Sequence, residues 1–449
     1  MNGTTEFLSA IWSPVKRQFS IVRALRHRNY RLFFGGQSVS LIGTWLTRVA
    51  TSWLVYRLTH SALLLGVVSF AGQFPTFLLS PIAGVLVDRW NRYKVLVITQ
   101  ILSMLQSAAL AVLTLMHIIT IPEILALSIL QGLINAFDMP SRQALVVELI
   151  EDRKDLPNAI ALNSSMVNMA RLVGPSVAGI LIATTGEGGC FTIDAISYLA
   201  VIASLLMMKL RIHPARPHGK KIVAELSEGF QYVRRSQALR SVLSLLGLIS
   251  LMGMPYMVLL PIVTSEQLHG GPYTLGYLTA ASGLGALIGV LYLASRNSVI
   301  GLARIIAGSS AVFGMGIIVF SFSHWVWLSF LTMFISGMGM MVQMAASNTI
   351  LQTIVDEDKR GRVMSYFTLS VVGMTPFGSL LSGVLAEQIG ATRTILLSGF
   401  VCLLGAIVFL RDLPRLRESI RPIYRRLGIL PQISESIERA SELNIPPEH

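Results

Sequence analysis

Arg48, Asp138, Arg142, Arg171 and Asp194 are ionisable residues set inside long apolar runs. Placing an ion in the core of a bilayer costs about 2.5–3.5 kcal/mol on insertion scales, so each needs a partner or access to water. Three arginines are candidate partners for Asp138: Arg48, Arg171, and Arg142 one helical turn away. A carboxylate that leaves an arginine in dry surroundings can bind a proton, so an exchange of partners is a step that could couple protons to movement. The alternative is a permanent structural ion pair. Asp194 stands near the end of its run and is expected at the membrane interface. Uncharged polar residues in the same runs are candidates for contacting a substrate: Gln73, Asn135, Asn163 and Asn168, then Gln343 and Asn348. Met338, Met340, Met341 and Met344 add adaptable apolar surface. The same amides could equally bond across helices, and the methionines could simply pack.

A charged turn is the second constellation. Gly84–Lys94 reads GVLVDRWNRYK and places Asp88, Arg89, Arg92 and Lys94 between apolar runs at 63–87 and 95–116. So tight a turn between two spans belongs at a membrane surface. Gly84 would let its helix approach a neighbour closely. Asp88 would sit at the N-terminus of a helix elsewhere in the molecule, favoured by the helix dipole. Arg89 and Arg92 would pair with Glu148. Positive charge alone is a sidedness signal, but it does not account for Asp88.

These residues need a membrane-spanning frame. The chain has 449 residues, 53% hydrophobic and 13% charged, against about 25% charged in soluble domains. Apolar runs of spanning length recur at 32–56, 63–87, 95–116, 123–147, 158–183, 190–208, 239–263, 274–294, 302–322, 327–350, 363–389 and 392–410. The expected fold is an all-α membrane protein of twelve transmembrane helices in two pseudo-symmetric six-helix bundles. Its parts would be a basic amphipathic segment at 1–31, bundles at 32–208 and 239–411, a cytoplasmic linker at 209–238 and a cytoplasmic tail at 412–449. The net charge of +13 comes from Lys and Arg concentrated in the segments of one side, with Arg57 and Arg393 near the other. That bias puts both termini in the cytoplasm and reads as orientation and lipid contact rather than nucleic-acid binding. Asp152, Gly174, Gly179 and Gly186 match Asp356, Gly378, Gly383 and Gly390 at a constant offset, the mark of a duplicated half. Cys190 and Cys402 lie in apolar runs without metal-ligand spacing, and no phosphate-binding loop or HExxH pair occurs. No metal, cofactor or enzymatic activity is expected.

The 84–94 turn resembles the loop between helices 2 and 3 of the major facilitator superfamily, although Asn91 stands where the family has Gly and Tyr93 where it has a basic residue. ARLVGPSVAG at 170–179 resembles the antiporter signature of that superfamily, built on Gly174, Pro175 and Gly179. DMPSRQALVVELI from Asp138, LPNAIALNSSMVNMARLVGP from Leu156 and RGRVMSYFTL from Arg360 are similar to the branch of bacterial macrolide-efflux and enterobactin-export proteins. The arginine that drug antiporters carry shortly before a Gln-Gly pair is missing, since Ser128 precedes Gln131-Gly132. The resemblance implies proton-driven export of an amphipathic organic compound by a monomer in the bacterial inner membrane, with alternating access. It also implies that Asp88 meets the helix starting near Val363. A lipid or lysophospholipid flippase of the same fold is the competing reading.

Overall fold

Cys190 lies against the carbonyl of Ala178, Sγ to O 3.9 Å. A straight helix would hold those two residues about 18 Å apart, so the chain doubles back between them. The turn is at Gly186, the non-helical residue within Leu156–Leu206, at φ 75° and ψ 178°. Gly390, its partner in the internal repeat, has φ 90° and joins the last two spans in the same way. Both positions need a backbone that only glycine adopts without strain.

The structure is a computed structural model that describes residues 23–208, 222–296, 298–357 and 359–426, with all of their side chains except those of 88 and 222–227. Every regular element among these residues is a helix. In chain order they are α1 Arg28–Thr59, α2 Ala62–Arg89, α3 Arg92–Leu115, α4 Ile121–Glu148, α5 at 156–185 and α6 at 187–206. After them come α7 Ile222–Arg235, α8 Gln237–Gln267, α9 Pro272–Ala294, α10 Leu302–Ser321, α11 Val326–Ile354, α12 Arg360–Ile389 and α13 Ala391–Arg426. Ten of the continuous helices are long and apolar enough to cross a membrane, counting 153–206 as one; α1 is more polar. Turn chemistry sets several starts. Ser61 accepts from the Leu64 N–H to cap α2, and Asn91 accepts from the Lys94 N–H to cap α3.

Packing divides the chain into α1–α6 and α7–α13. Within the first half α1 lies along α5 and α6, and α2 along α4. Within the second, α11 runs between α9 and α10, and α10 lies along α13. The halves meet where α5 crosses α9 and where α2 crosses α12. Single π-turns at Ile249–Gly253, Val263–Gln267 and Leu369–Gly373 loosen α8 and α12 next to Pro255, Pro261 and Pro376. Such local adjustments absorb backbone groups that proline leaves unpaired.

Three of the expected segments lie partly outside the described residues, and their described parts take a definite form. Part of the expected linker at 209–238 is a helix, α7, which docks beside the start of α12: Arg362 pairs with Glu228 at 2.6 Å, and the Tyr232 hydroxyl donates to Asp356 at 3.2 Å. The expected tail at 412–449 begins as helix, because α13 continues through Pro414 and Pro422 to Arg426 with Leu413, Leu416, Ile420 and Tyr424 buried. Those four recur at helical spacing, and their burial outweighs the proline interruptions. The segment expected over 1–31 falls outside the described residues up to 22. From Arg23 it is tied down, with Arg23 and His27 on Asp155 and the Tyr30 hydroxyl donating to the Ala159 carbonyl at 2.8 Å.

Candidate functional site

The loops that carry Arg92, Arg153 and Arg360 mark one end of the molecule, here the basic face; the α1–α2 and α11-preceding loops mark the far face. Contacts between the halves concentrate toward the far face. Tyr56 donates to Glu266 at 3.4 Å, and Glu387 accepts from the Ser61 hydroxyl at 3.1 Å and the Leu63 N–H at 3.0 Å. Gly179 of α5 rests on Gly276 of α9, where an added methyl on Gly276 would sit 2.6 Å from the Pro175 carbonyl oxygen. Gly66 of α2 rests on Gly383 of α12, where a methyl on Gly66 would sit 2.7 Å from the Ser379 carbonyl oxygen. Both matched glycines of the repeat, Gly179 and Gly383, therefore cross into the other half. Phe70, Phe74 and Phe77 continue the second contact around Phe377, with ring centroids 5.7–6.1 Å away.

Nearer the basic face the contact is lost. Gly84, expected to pack closely, has nothing within 4 Å of where a methyl would stand. The reason is the splay of α2, which touches α12 along its first part and leaves it before its last turn. Among the described residues the halves touch toward the far face and part toward the basic face.

Arg48 of α1 and Arg171 of α5 lie along this opening. Arg48 is exposed, with its guanidinium 4.7 Å over the ring of Trp45. The two arginines act on each other electrostatically, and Arg171 acts on Tyr256 of α8, in the opposite half. Through Tyr256, Arg171 reaches across to the other half. Among the described residues neither arginine is ion-paired with a carboxylate. Two cations that act on each other without a counter-ion among the described residues, one of them over an indole, can hold an anionic group with an apolar body. Gly174 brings α5 against Trp45, and Pro175 sits at the α9 crossing, so the Gly174–Gly179 stretch sets where Arg171 points.

Asp138 does not meet Arg48 or Arg171. It pairs with Arg142 on its own helix, and its other oxygen accepts from Thr99 at 3.0 Å and Gln100 at 2.6 Å, both on α3. The i,i+4 partner prevails because Asp138 points at α3, away from the opening. Asp194, expected at the interface, is 1% exposed. Its Oδ2 accepts from Thr47 of α1 and Ser107 of α3, each at 2.6 Å, and Oδ1 has no partner. Depth along a helix did not reveal this; the face does, since Asp194 points inward at Gly43.

In the charged turn, Arg92 meets Glu148 at 2.6 Å and Arg89 is exposed. The side chain of Asp88 lies outside the described set. Asn91 and Tyr93, which depart from the family pattern, hold the turn together: Asn91 caps α3, and the Tyr93 hydroxyl donates to the Leu205 carbonyl at 3.1 Å. The polar substrate candidates are mostly engaged locally. Gln73 donates to Ser69, Asn135 accepts from Gln131, Asn168 donates to the Ser164 carbonyl and Asn348 accepts from Gln352. Gln343 is buried near Ser347, Met344 packs against the core, and Asn163 Oδ1 is buried without a partner.

The chain is 28% identical over 381 residues to the staphyloferrin A transporter of Staphylococcus aureus, covering 84% of this chain and 95% of that protein. It is 25% identical over 397 residues to macrolide efflux protein A of Streptococcus pyogenes, covering 85% and 96%. Among solved structures, a POT family transporter in complex with 5-aminolevulinic acid superposes with a TM-score of 0.69 at 13% identity, covering 87% of this chain and 96% of that one. Its likeness concerns the fold. Residues 20–427 match the family described as transmembrane secretion effector, and the chain belongs to that family, an integral, multi-pass branch of the major facilitator superfamily whose members include drug and siderophore transporters.

Proposed function

We propose that this protein exports an amphipathic organic compound bearing an anionic group, by proton antiport and alternating access. The observation that carries the reading is the pair Arg48 and Arg171, uncompensated by any carboxylate among the described residues, with Arg171 acting on Tyr256 of the other half. The bias of Lys and Arg makes the basic face cytoplasmic, so the structure opens to the cytoplasm and both termini lie there. Cargo would enter among Arg48, Arg171 and Trp45. The helices would then part at the Gly66–Gly383 and Gly179–Gly276 crossings to release it on the other side, while Asp88 closes the cytoplasmic end on α12. The protein would act as a monomer in a bacterial cytoplasmic membrane.

One feature favours lipid transport as a second reading. An apolar groove of about 440 Å³ runs between Leu172 of α5, Tyr277, Ala281 and Leu284 of α9, and Phe330 of α11, at the seam of the halves. Inside-out vesicles carrying the full chain and an imposed pH gradient separate the two. A carboxylate siderophore, a macrolide and a lysophospholipid are offered in turn. Gradient-dependent uptake of the siderophore or macrolide supports export. Uptake of the lysophospholipid alone, indifferent to the gradient, replaces it with lipid flipping.

A further inference from the structure

The charge left unexplained by the Arg48–Arg171 opening is Asp194. It is 1% exposed, at the junction of α1, α3 and α6, and no Lys or Arg among the described residues reaches it. Two hydroxyls, Thr47 and Ser107, donate to Oδ2 at 2.6 Å. Oδ1 accepts nothing and points at the backbone of Gly43, where a side chain would collide with it. An unpaired buried carboxylate ion costs several kcal/mol even after relaxation. Two hydroxyl donors offset part of that cost, and a proton on Oδ1 removes it.

The surroundings are polar in one direction. Tyr198, one turn along α6, has the hydroxyls of Thr44 and Ser103 as neighbours and feels both carboxylates, Asp194 and Asp138. Ser103 accepts weakly from Gln131 at 3.4 Å, and Asp138 continues through Arg142 toward the basic face. Hydroxyl and amide side chains of α1, α3 and α4 thus stand between Asp194 and the Asp138–Arg142 pair. The remaining titratable neighbours are Cys190 on α6, and Glu187 at the far end of α6, which is held by Arg57 at 2.9 Å. Arg48 follows Thr47 on α1 but is turned toward Arg171.

We infer that Asp194, and not Asp138, is the proton-binding group of the transport cycle, loaded at Oδ1 and reached from the basic face through Tyr198 and the Asp138–Arg142 pair. The proton adds to Oδ1 in one state of the cycle and leaves from it in the other; no other bond changes. Thr47 connects the site to the cargo opening, because it donates to Asp194 and immediately precedes Arg48 on α1. Ionised Asp194 holds both hydroxyls, and protonated Asp194 holds them weakly, so α1 is freed to shift with Arg48. Asp138 is already held by three groups, Arg142, Thr99 and Gln100.

The inference rests on the proton-antiport reading, and its test needs no substrate. Purified full-length protein is titrated by infrared difference spectroscopy, following the carbonyl band of a protonated carboxylic acid in a dry environment. The wild type should show one such band that disappears as pH rises. Asp194→Asn should lack it, and Asp138→Asn should retain it. Three results overturn the inference: no titrating band in the wild type, a band that persists at every pH, or a band lost in Asp138→Asn and kept in Asp194→Asn. The wild-type trace decides the first two even where a variant folds poorly. Transport is the second arm. At one proton per molecule of macrolide, a one-unit pH step supports about tenfold accumulation, which Asp194→Asn should abolish while downhill macrolide flux survives. Wild-type vesicles that ignore the pH step refute antiport itself, whatever the infrared band shows.

Discussion

Glu387 of α12 accepts a hydrogen bond from the backbone N–H of Leu63, at 3.0 Å, in the first turn of α2. A carboxylate of one half therefore caps a helix of the other, where free N–H groups and the helix dipole favour negative charge. The turn at the opposite end of α2 bears Asp88, proposed to cap the start of α12 in the same manner. The same two helices would then carry an acidic latch at each end, used in alternate states.

Glu387→Gln should loosen the far-face closure, since an amide keeps one acceptor but loses the charge. A capping interaction of about 0.5–2 kcal/mol corresponds to a two- to thirtyfold change in the ratio of the states. Spin-label distances across the far face should lengthen in the variant. An unchanged distance distribution would leave Glu387 as a bystander.

The glycine crossings give a steric contrast. In Gly276→Ala the new methyl would lie 2.6 Å from the Pro175 carbonyl oxygen and 2.8 Å from the Cα of Gly179. Overpacking of this kind costs about 1–3 kcal/mol, charged here against the far-closed state. Efflux should fall and the open-outward population rise. Gly84→Ala meets nothing within 4 Å and should leave that population unchanged while stabilising α2 by up to about 1 kcal/mol. Equal effects from both substitutions would show that the crossings do not govern closure.

Arg48→Ala and Arg171→Ala should each weaken binding of an anionic cargo about ten- to hundredfold, the range expected for a lost hydrogen bond to a charged group. A neutral macrolide should be affected much less. Competition assays with both probes read the difference, and parallel losses for both would point to a structural role.

Asp138→Asn leaves Arg142 without its partner. Because Arg142 keeps 23% of its side chain exposed, the loss should be about 1–3 kcal/mol, below that of a fully buried pair. Thermal unfolding in detergent should move down accordingly.

The frame of the molecule was readable because its signals are additive: long apolar runs, basic loops on one side and glycines repeating at a fixed interval. Gly186 and Gly390 illustrate it, two residues matched by arithmetic that share a left-handed backbone. The site was harder to read. Asp138 had three arginines to choose from, and only the way α4 faces α3 selects Arg142. Asp194 was misplaced because its distance from a helix end says nothing of the neighbour it faces. That neighbour, Gly43, lies about 150 positions earlier in the chain. The missed part of α13 did have a signal, the apolar spacing of Leu413, Leu416, Ile420 and Tyr424, but Pro414 and Pro422 argued for a stop.

The bare contact of Gly66 on Gly383 has a mechanical result. From that fulcrum α2 extends about 35 Å to Arg89, continuous as a helix through Pro75 and Pro81. Tilting such a lever by about 10° sweeps its tip through roughly 6 Å. A motion smaller than a methyl group at the pivot becomes a doorway for a whole molecule at the other extremity, and its direction is set by which end of the rod is held by an acid.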